Sequence, residues 1–278
     1  MSSHNKENNN ISKITLAYLL KTSRPGLWFA TLWLYLLPTS QMPNILTSVP
    51  FWVGLFYVCF PLNLMVYGWN DAVDQKTDAI NPRKDSYWFG ALGNAYQLKH
   101  IWKYILAVQL ITYPVLIYFG GIKMIPIFLG FLLVNGLYNL PEKGLRSHPP
   151  FELLCQVGYL LIVPLSIFLN DANNLPLWTY GYLCLFAVQS HLMGEVMDIV
   201  PDKNSGRETT ATKYGIYKTK FLIILIVTCE VNLLFLVYNE IVFGGLLAFG
   251  LIWLLLDVFL IYKSQTYSLN QMQMQAYA

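Results

Sequence analysis

Residues 50–78 read PFWVGLFYVCFPLNLMVYGWNDAVDQKTD, an apolar run of membrane-crossing length that passes directly into Asn70, Asp71, Asp74 and Asp78. In a helical continuation, carboxylates at i, i+3 and i+7 share one face. The pattern returns four hydrophobic segments later, where Glu195, Asp198 and Asp202 leave the end of another long apolar run. Carboxylates concentrated in this way need cations or protons. Mg²⁺ takes hard oxygen ligands and bridges to substrate phosphates, so two acidic ladders suit the holding of Mg²⁺ ions that in turn hold a diphosphate.

Working outward, 55% of the 278 residues are apolar and 12% are charged, a balance that excludes a soluble domain and fits a polytopic membrane protein. The expected fold class is all-α, a polytopic membrane helical bundle. Eight transmembrane segments are expected near 26–45, 50–70, 101–119, 122–140, 153–169, 178–198, 219–238 and 242–262. Of the 18 Lys and Arg residues only Lys123 falls on the side opposite the acidic patterns, which predicts both termini on the cytoplasmic or equivalent side. Residues 1–20 read as a polar tail, 21–263 as a single membrane domain and 264–278 as a second polar tail. Met1–Asn10 lacks the apolar core of a signal peptide. The net charge of +3 is accounted for by this topology, and nothing resembles a nucleic-acid-reading module.

The segments divide four and four, and each half carries an acidic ladder at the cytoplasmic end of its second segment. Ionisable groups at membrane depth avoid lipid and face an interior, so the two halves are expected to face one shared cavity. Loops over Asp78–His100, Pro141–Pro150 and Pro201–Lys220 lie on the ladder side and can cap the site.

An allylic diphosphate ionises when metals and cationic side chains stabilise the charge growing on its leaving oxygen. Lys143 and Arg146 are candidate diphosphate contacts, with Arg83 and Lys84 after the first ladder and Lys203 and Arg207 after the second. For any one of these the competing explanation is the positive-inside topology itself. The carbocation needs a dry, aromatic-lined cavity, which residues such as Tyr138 can supply. His191, one turn before Glu195, can position an acceptor or hydrogen-bond a metal ligand, or make a structural polar contact. Acidic residues at an interface also cap helices, but two patterns of like spacing at matching positions favour a site. Glu230 and Asp257, inside apolar segments, should face another helix or be protonated.

On these residues the chain resembles the UbiA superfamily of intramembrane prenyltransferases. Asn70, Asp71, Asp74 and Asp78 match the first acidic motif of that family in full; Asp198 and Asp202 match the second, with Glu195 in place of its first Asp. Arg24-Pro25 ahead of the first helix, and Tyr138, Pro141 and Arg146 around the end of the fourth, extend the likeness. The resemblance implies an isoprenyl diphosphate donor and Mg²⁺ as cofactor. It also implies a metal and diphosphate site formed by Asp71, Asp74, Asp78, Glu195, Asp198 and Asp202, with Arg24 and Asn70 beside the substrate. Family members usually have nine membrane helices, one more than the eight expected here. The run from Tyr67-Gly68 through Asn81-Pro82-Arg83-Lys84 looks most like the lycopene-elongase branch.

The expected activity is Mg²⁺-dependent transfer of an isoprenyl group to a hydrophobic acceptor, with membrane lipid as surroundings. A terpene cyclase of the same family, ionising and cyclising the donor alone, is the alternative. A transporter or lipid-binding protein is the reading from another class.

Overall fold

The computed structural model describes residues 13–81, 83–140 and 144–261, and these are all-α: among them there is no strand, only an isolated bridge between Ser86 and Gly90. Six helices are long and apolar enough to cross a membrane: Val49–Val73, Ala95–Gly120, Glu152–Asn170, Leu177–Ser205, Ile216–Leu236 and Ile241–Ile261. Two of the eight expected crossings are shorter. Trp28–Leu36 gives way at Pro38 to the 3₁₀ turn Leu37–Thr39, and Met124–Asn139 has 16 residues. Proline lacks the N–H that would extend the first of these.

The chain forms two compact units. The first comprises 13–135 and 161–174 of the described residues, including helices α1 (Leu16–Thr22), α2 (Trp28–Leu36), α3 (Val49–Cys59), α4 (Pro61–Val73), α5 (Gln75–Asp78) and α6 (Ala95–Gly120). Its core is apolar but stitched by polar side chains that serve backbone groups in a water-poor interior. Pro61 divides α3 from α4, and Asn63 Nδ2 donates to the Val58 and Cys59 carbonyls beside the break, at 2.8 Å each. Gln109 Nε2 donates to Pro61 O at 2.8 Å, and Gln109 Oε1 accepts from the Tyr57 hydroxyl at 3.1 Å. Such bonds let a proline-broken helix persist where water is absent. Tyr35, fully buried, donates to Phe51 O at 2.9 Å and accepts from Asn170 Nδ2 at 3.0 Å. Asn94 and Gln97 form a reciprocal capping box that starts α6.

The second unit comprises 136–160 and 175–261 and contains α8 (Glu152–Gln156), α10 (Leu177–Ser205), α11 (Thr210–Tyr214), α12 (Ile216–Leu236) and α13 (Ile241–Leu256); α7 (Met124–Asn139) has residues in both units, and α9 (Ile162–Asn170) belongs to the first. Leu192, Val196 and Ile199 of α10 pack with Ala211 of α11 and with Ile223, Ile226 and Val227 of α12. Spacing of three and four residues puts each apolar set on one helix face. Gly206, at φ +76°, ends α10 in the left-handed conformation that glycine adopts most cheaply. Asp257 meets Lys220 Nζ at 3.0 Å, and both side chains are buried, so this intramembrane acid faces another helix as expected. Glu230 is 1% exposed and likewise turned inward. Leu225, Phe243, Leu246 and Phe249 are exposed, an apolar surface suited to lipid.

Candidate active site

Each unit builds one acidic set from its own residues. In the first unit α4 carries Asn70 and Asp71 to its end, and Asp74 forms the junction with α5 at φ −89°, ψ 20°. The ladder is therefore not one unbroken helix, although Asp74 N to Asn70 O and Asp78 N to Asp74 O, at 2.9 Å each, keep its pitch.

Asp71 is 2% exposed. Its Oδ1 accepts from Lys84 Nζ at 2.6 Å and from Arg24 Nη2 at 2.8 Å. Lys84 Nζ also meets Asp78 Oδ2 at 2.8 Å, while Asp74 Oδ2 accepts from Asn70 Nδ2 at 2.8 Å. Arg24 lies 4.3 Å over the Tyr67 ring, a cation–π contact that orients the guanidinium. Burial pushes the Asp78 carboxyl up to about 6, outweighing the opposing pull of Lys84, and the nearby Asp71 charge adds to the rise.

The loop after α5 closes over this set. Gly26 N donates to Tyr87 O at 3.0 Å, and the Trp88 ring lies against Gly26 so closely that a Cβ there would collide with it. Lys21 Nζ reaches Asp85 Oδ1 at 2.9 Å, and Arg83 stacks 4.7 Å from the Phe89 ring. Gly90, at φ +97°, ends the turn. A Cβ on it would lie 3.1 Å from Arg24 Nε, 3.4 Å from Asp71 Oδ2 and 3.5 Å from Lys84 Nζ.

The second unit's set is built differently. Glu195, 5% exposed, accepts from Ala211 N at 3.0 Å through Oε2, and its Oε1 lies 3.2 Å from His191 Nε2. Buried Glu152 accepts from Thr210 N at 2.8 Å and from the Thr210 hydroxyl, so two carboxylates serve the otherwise unpaired donors at the start of α11. Asp202 is buried, with Arg207 Nη1 3.9 Å from its Oδ1. Arg207 Nη2 donates to the Tyr138 hydroxyl at 3.2 Å, and the Tyr138 and His191 rings meet edge to face at 6.3 Å. Asp198 is half-buried, as is Arg146 on the turn Leu145–Ser147, whereas Lys203 is exposed. Lys143 and Pro141 lie outside the described residues.

Among the described residues no three His, Cys, Asp or Glu side chains converge in a ready-made metal cage. In the first set the reason is visible: Lys84 stands between Asp71 and Asp78. The donor chemistry nonetheless fits a hard divalent cation. Asp71 Oδ2 is buried without a hydrogen-bond partner, and the missing side chain of Gly90 leaves room beside it. Residues that the spacing of charges did not single out are Gly90, Trp88 and Lys21, which hold the loop down, and Glu152, which shares α11 with Glu195. A turn-forming Asp85-Ser86 followed by Gly90 was the local signal for the first group.

Comparison with known proteins bears on the same residues. The model of the UbiA prenyltransferase family matches residues 27–276. Lycopene elongase/hydratase of Corynebacterium glutamicum is 23% identical over 205 residues, covering 71% of this chain and 69% of that protein. The protein of the same name from Halobacterium salinarum is 25% identical over 246 residues, covering 82% and 86%. A UbiA homolog from Archaeoglobus fulgidus, solved bound to DMAPP and Mg²⁺, superposes with a TM-score of 0.70 at 17% identity, covering 94% of this chain and 93% of that one. The same homolog bound to GPP and Mg²⁺ gives 0.70 at 16%. At such identity the structural likeness speaks for the fold.

Proposed function

Because this chain belongs to the UbiA prenyltransferase family, a family of multi-pass membrane proteins, we propose that it transfers an isoprenyl group from its diphosphate to a separate hydrophobic acceptor. Diphosphate is released, and Mg²⁺ is the cofactor. The observation that carries this reading is the state of Asp71. One of its oxygens is held by two cations, while the other is buried, free of hydrogen bonds and open toward a glycine.

Asp71, Asp74 and Asp78, with Asn70, would hold Mg²⁺ in one set, and Glu195, Asp198 and Asp202 in the other. Bound Mg²⁺ supplies positive charge that stabilises the departing diphosphate. Arg24 aims Asp71 through its bond to Oδ1. Arg146 and Arg207, together with Lys143, are read as donors to the diphosphate oxygens; Arg83 and Lys203 lie on the same stretches of chain. The C1–O bond breaks with its electron pair leaving on the diphosphate oxygen. The acceptor's π-electrons then form a bond to C1, and the resulting cation loses a proton to complete the transfer. Tyr138, held by Arg207 and edge-on to His191, supports an aromatic wall that excludes water and tolerates positive charge.

The lycopene elongase/hydratase relatives, whose name describes extension of a long polyene, support a separate apolar acceptor over cyclisation of the donor alone. The partition of Lys and Arg supports placing both acidic sets on the cytoplasmic or equivalent side. The test is product analysis by mass spectrometry. Purified protein with Mg²⁺ is given dimethylallyl, geranyl, farnesyl or geranylgeranyl diphosphate, with and without an acyclic polyene acceptor. Prenylated acceptor and released diphosphate are expected. A cyclic hydrocarbon formed from donor alone would replace this reading with a cyclase, and no product under any condition would end it.

A further inference from the structure

The first acidic set already contains a cation, and that cation belongs to the chain. Lys84 is 7% exposed and bridges Asp71 Oδ1 and Asp78 Oδ2 at 2.6 and 2.8 Å. Its backbone is fixed on both sides. Lys84 N donates to Asn81 O at 3.2 Å, and the next residue closes a turn, with Asp85 N donating to Gly90 O at 2.9 Å. That turn is in turn pinned by Gly26, Trp88 and Lys21. The ammonium is thus delivered by a braced loop and not by a free surface chain. With Arg24 also on Asp71, two positive side chains balance two carboxylates, and Asp74 is bonded to Asn70.

We propose that Lys84 is the resident cation of this set: it holds Asp71 and Asp78 together in the free enzyme and competes with the divalent ion for them. The inference rests on the reading of these carboxylates as metal ligands. Its physical basis is simple. A divalent ion entering beside Asp71 Oδ2 meets an ammonium already within bonding distance of the other oxygen of the same carboxylate, and like charges a few ångströms apart in a dry site repel strongly. Metal therefore binds the free enzyme weakly. A diphosphate relieves the conflict by offering Lys84 other anionic oxygens, so metal and substrate bind tightly together and poorly apart. The role differs from a simple diphosphate contact, because it predicts an effect on metal affinity when no substrate is present.

The experiment titrates Mn²⁺ alone into the full-length protein in detergent, with free Mn²⁺ read by electron paramagnetic resonance, for wild type, Lys84→Met, Lys84→Gln and Lys84→Arg. Removal of the charge is expected to tighten Mn²⁺ binding by about tenfold or more, whereas Lys84→Arg stays near wild type. Lys84→Gln keeps a hydrogen-bond donor without the charge and carries the test if Lys84→Met does not fold. As a second readout, saturating Mg²⁺ should raise the Tm of the neutral variants more than that of wild type. Mn²⁺ binding that is unchanged or weakened in both neutral variants overturns the assignment of Lys84 while leaving the metal-dependent reading in place. Absence of Mn²⁺ binding in wild type and variants alike, both alone and with inorganic pyrophosphate added, overturns both.

Discussion

Glu195 Oε2 accepts a hydrogen bond from Ala211 N at 3.0 Å, so a carboxylate of the second acidic set also anchors the helix that follows it. With Glu152 on Thr210, it ties α10 to the start of α11. Shortening this side chain by one methylene withdraws the oxygen from Ala211. Glu195→Asp is expected to lower stability by about 1 kcal/mol, the worth of a typical hydrogen bond, and to depress the Tm in detergent by a few degrees. Glu195→Gln keeps an acceptor and should hold its Tm while losing prenyl transfer.

Asp71→Asn removes the charge that faces Arg24 and Lys84. Prenyl transfer, measured as diphosphate released, is expected to fall on the order of 10²-fold or more, because an electrostatic element aimed at the departing group is lost. The fold should persist, since asparagine keeps an oxygen in place of Oδ1; a far-ultraviolet circular dichroism spectrum checks this.

The pH dependence follows from Asp78, whose carboxyl is raised to about 6 by burial. Metal binding needs the ionised form, so Mn²⁺ affinity and activity should fall as pH drops through about 6. Asp78→Asn should flatten that limb. The sign is opposite for stability. Between the ordinary carboxylate range and about 6 the folded state binds more protons than the unfolded state, so this group's contribution declines as pH rises through that window. Thermal melts against pH in metal-free buffer test the second statement.

Gly90→Ala places a methyl group 3.1 Å from Arg24 Nε and 3.4 Å from Asp71 Oδ2, at a φ of +97° that side chains avoid. A cost of about 1–2 kcal/mol is expected from the backbone alone, seen as a lower Tm. Activity should fall further than the stability loss explains, because the methyl fills the space beside the free carboxylate oxygen.

Lys220 and Asp257 form a buried pair at 3.0 Å in the second unit. Lys220→Met should destabilise by about 3–5 kcal/mol, since it removes one charge of a buried ion pair. Adding Asp257→Leu should recover most of that loss, a result visible in thermal aggregation curves. No recovery in the double variant would refute the charge-burial account of this pair.

Much of the fold and the chemistry class was legible along the chain. Apolar runs longer than a bilayer is thick can do little else than form helices in lipid, because every backbone group must be paired within its own segment. Carboxylates at three- and four-residue spacing on such helix ends announced both sets. Less legible were the helix lengths: Pro38 truncates the first expected crossing and Met124–Asn139 stops short, features that hydropathy averages smooth over. Nor does spacing reveal that Glu195 is a backbone acceptor, since its partner Ala211 lies 16 residues on.

The sequence by itself determined that this is an all-helical, membrane-embedded chain with two acid-rich helix ends, because periodicity and hydropathy are local properties. Only the tertiary structure decided which cation each carboxylate meets. Arg24 reaches Asp71 across 47 residues and Lys84 reaches it across 13, and those encounters depend on how a braced loop folds over a helix end. Charge pairing at close range is set by ångströms in three dimensions, and no count of residues along the chain encodes it.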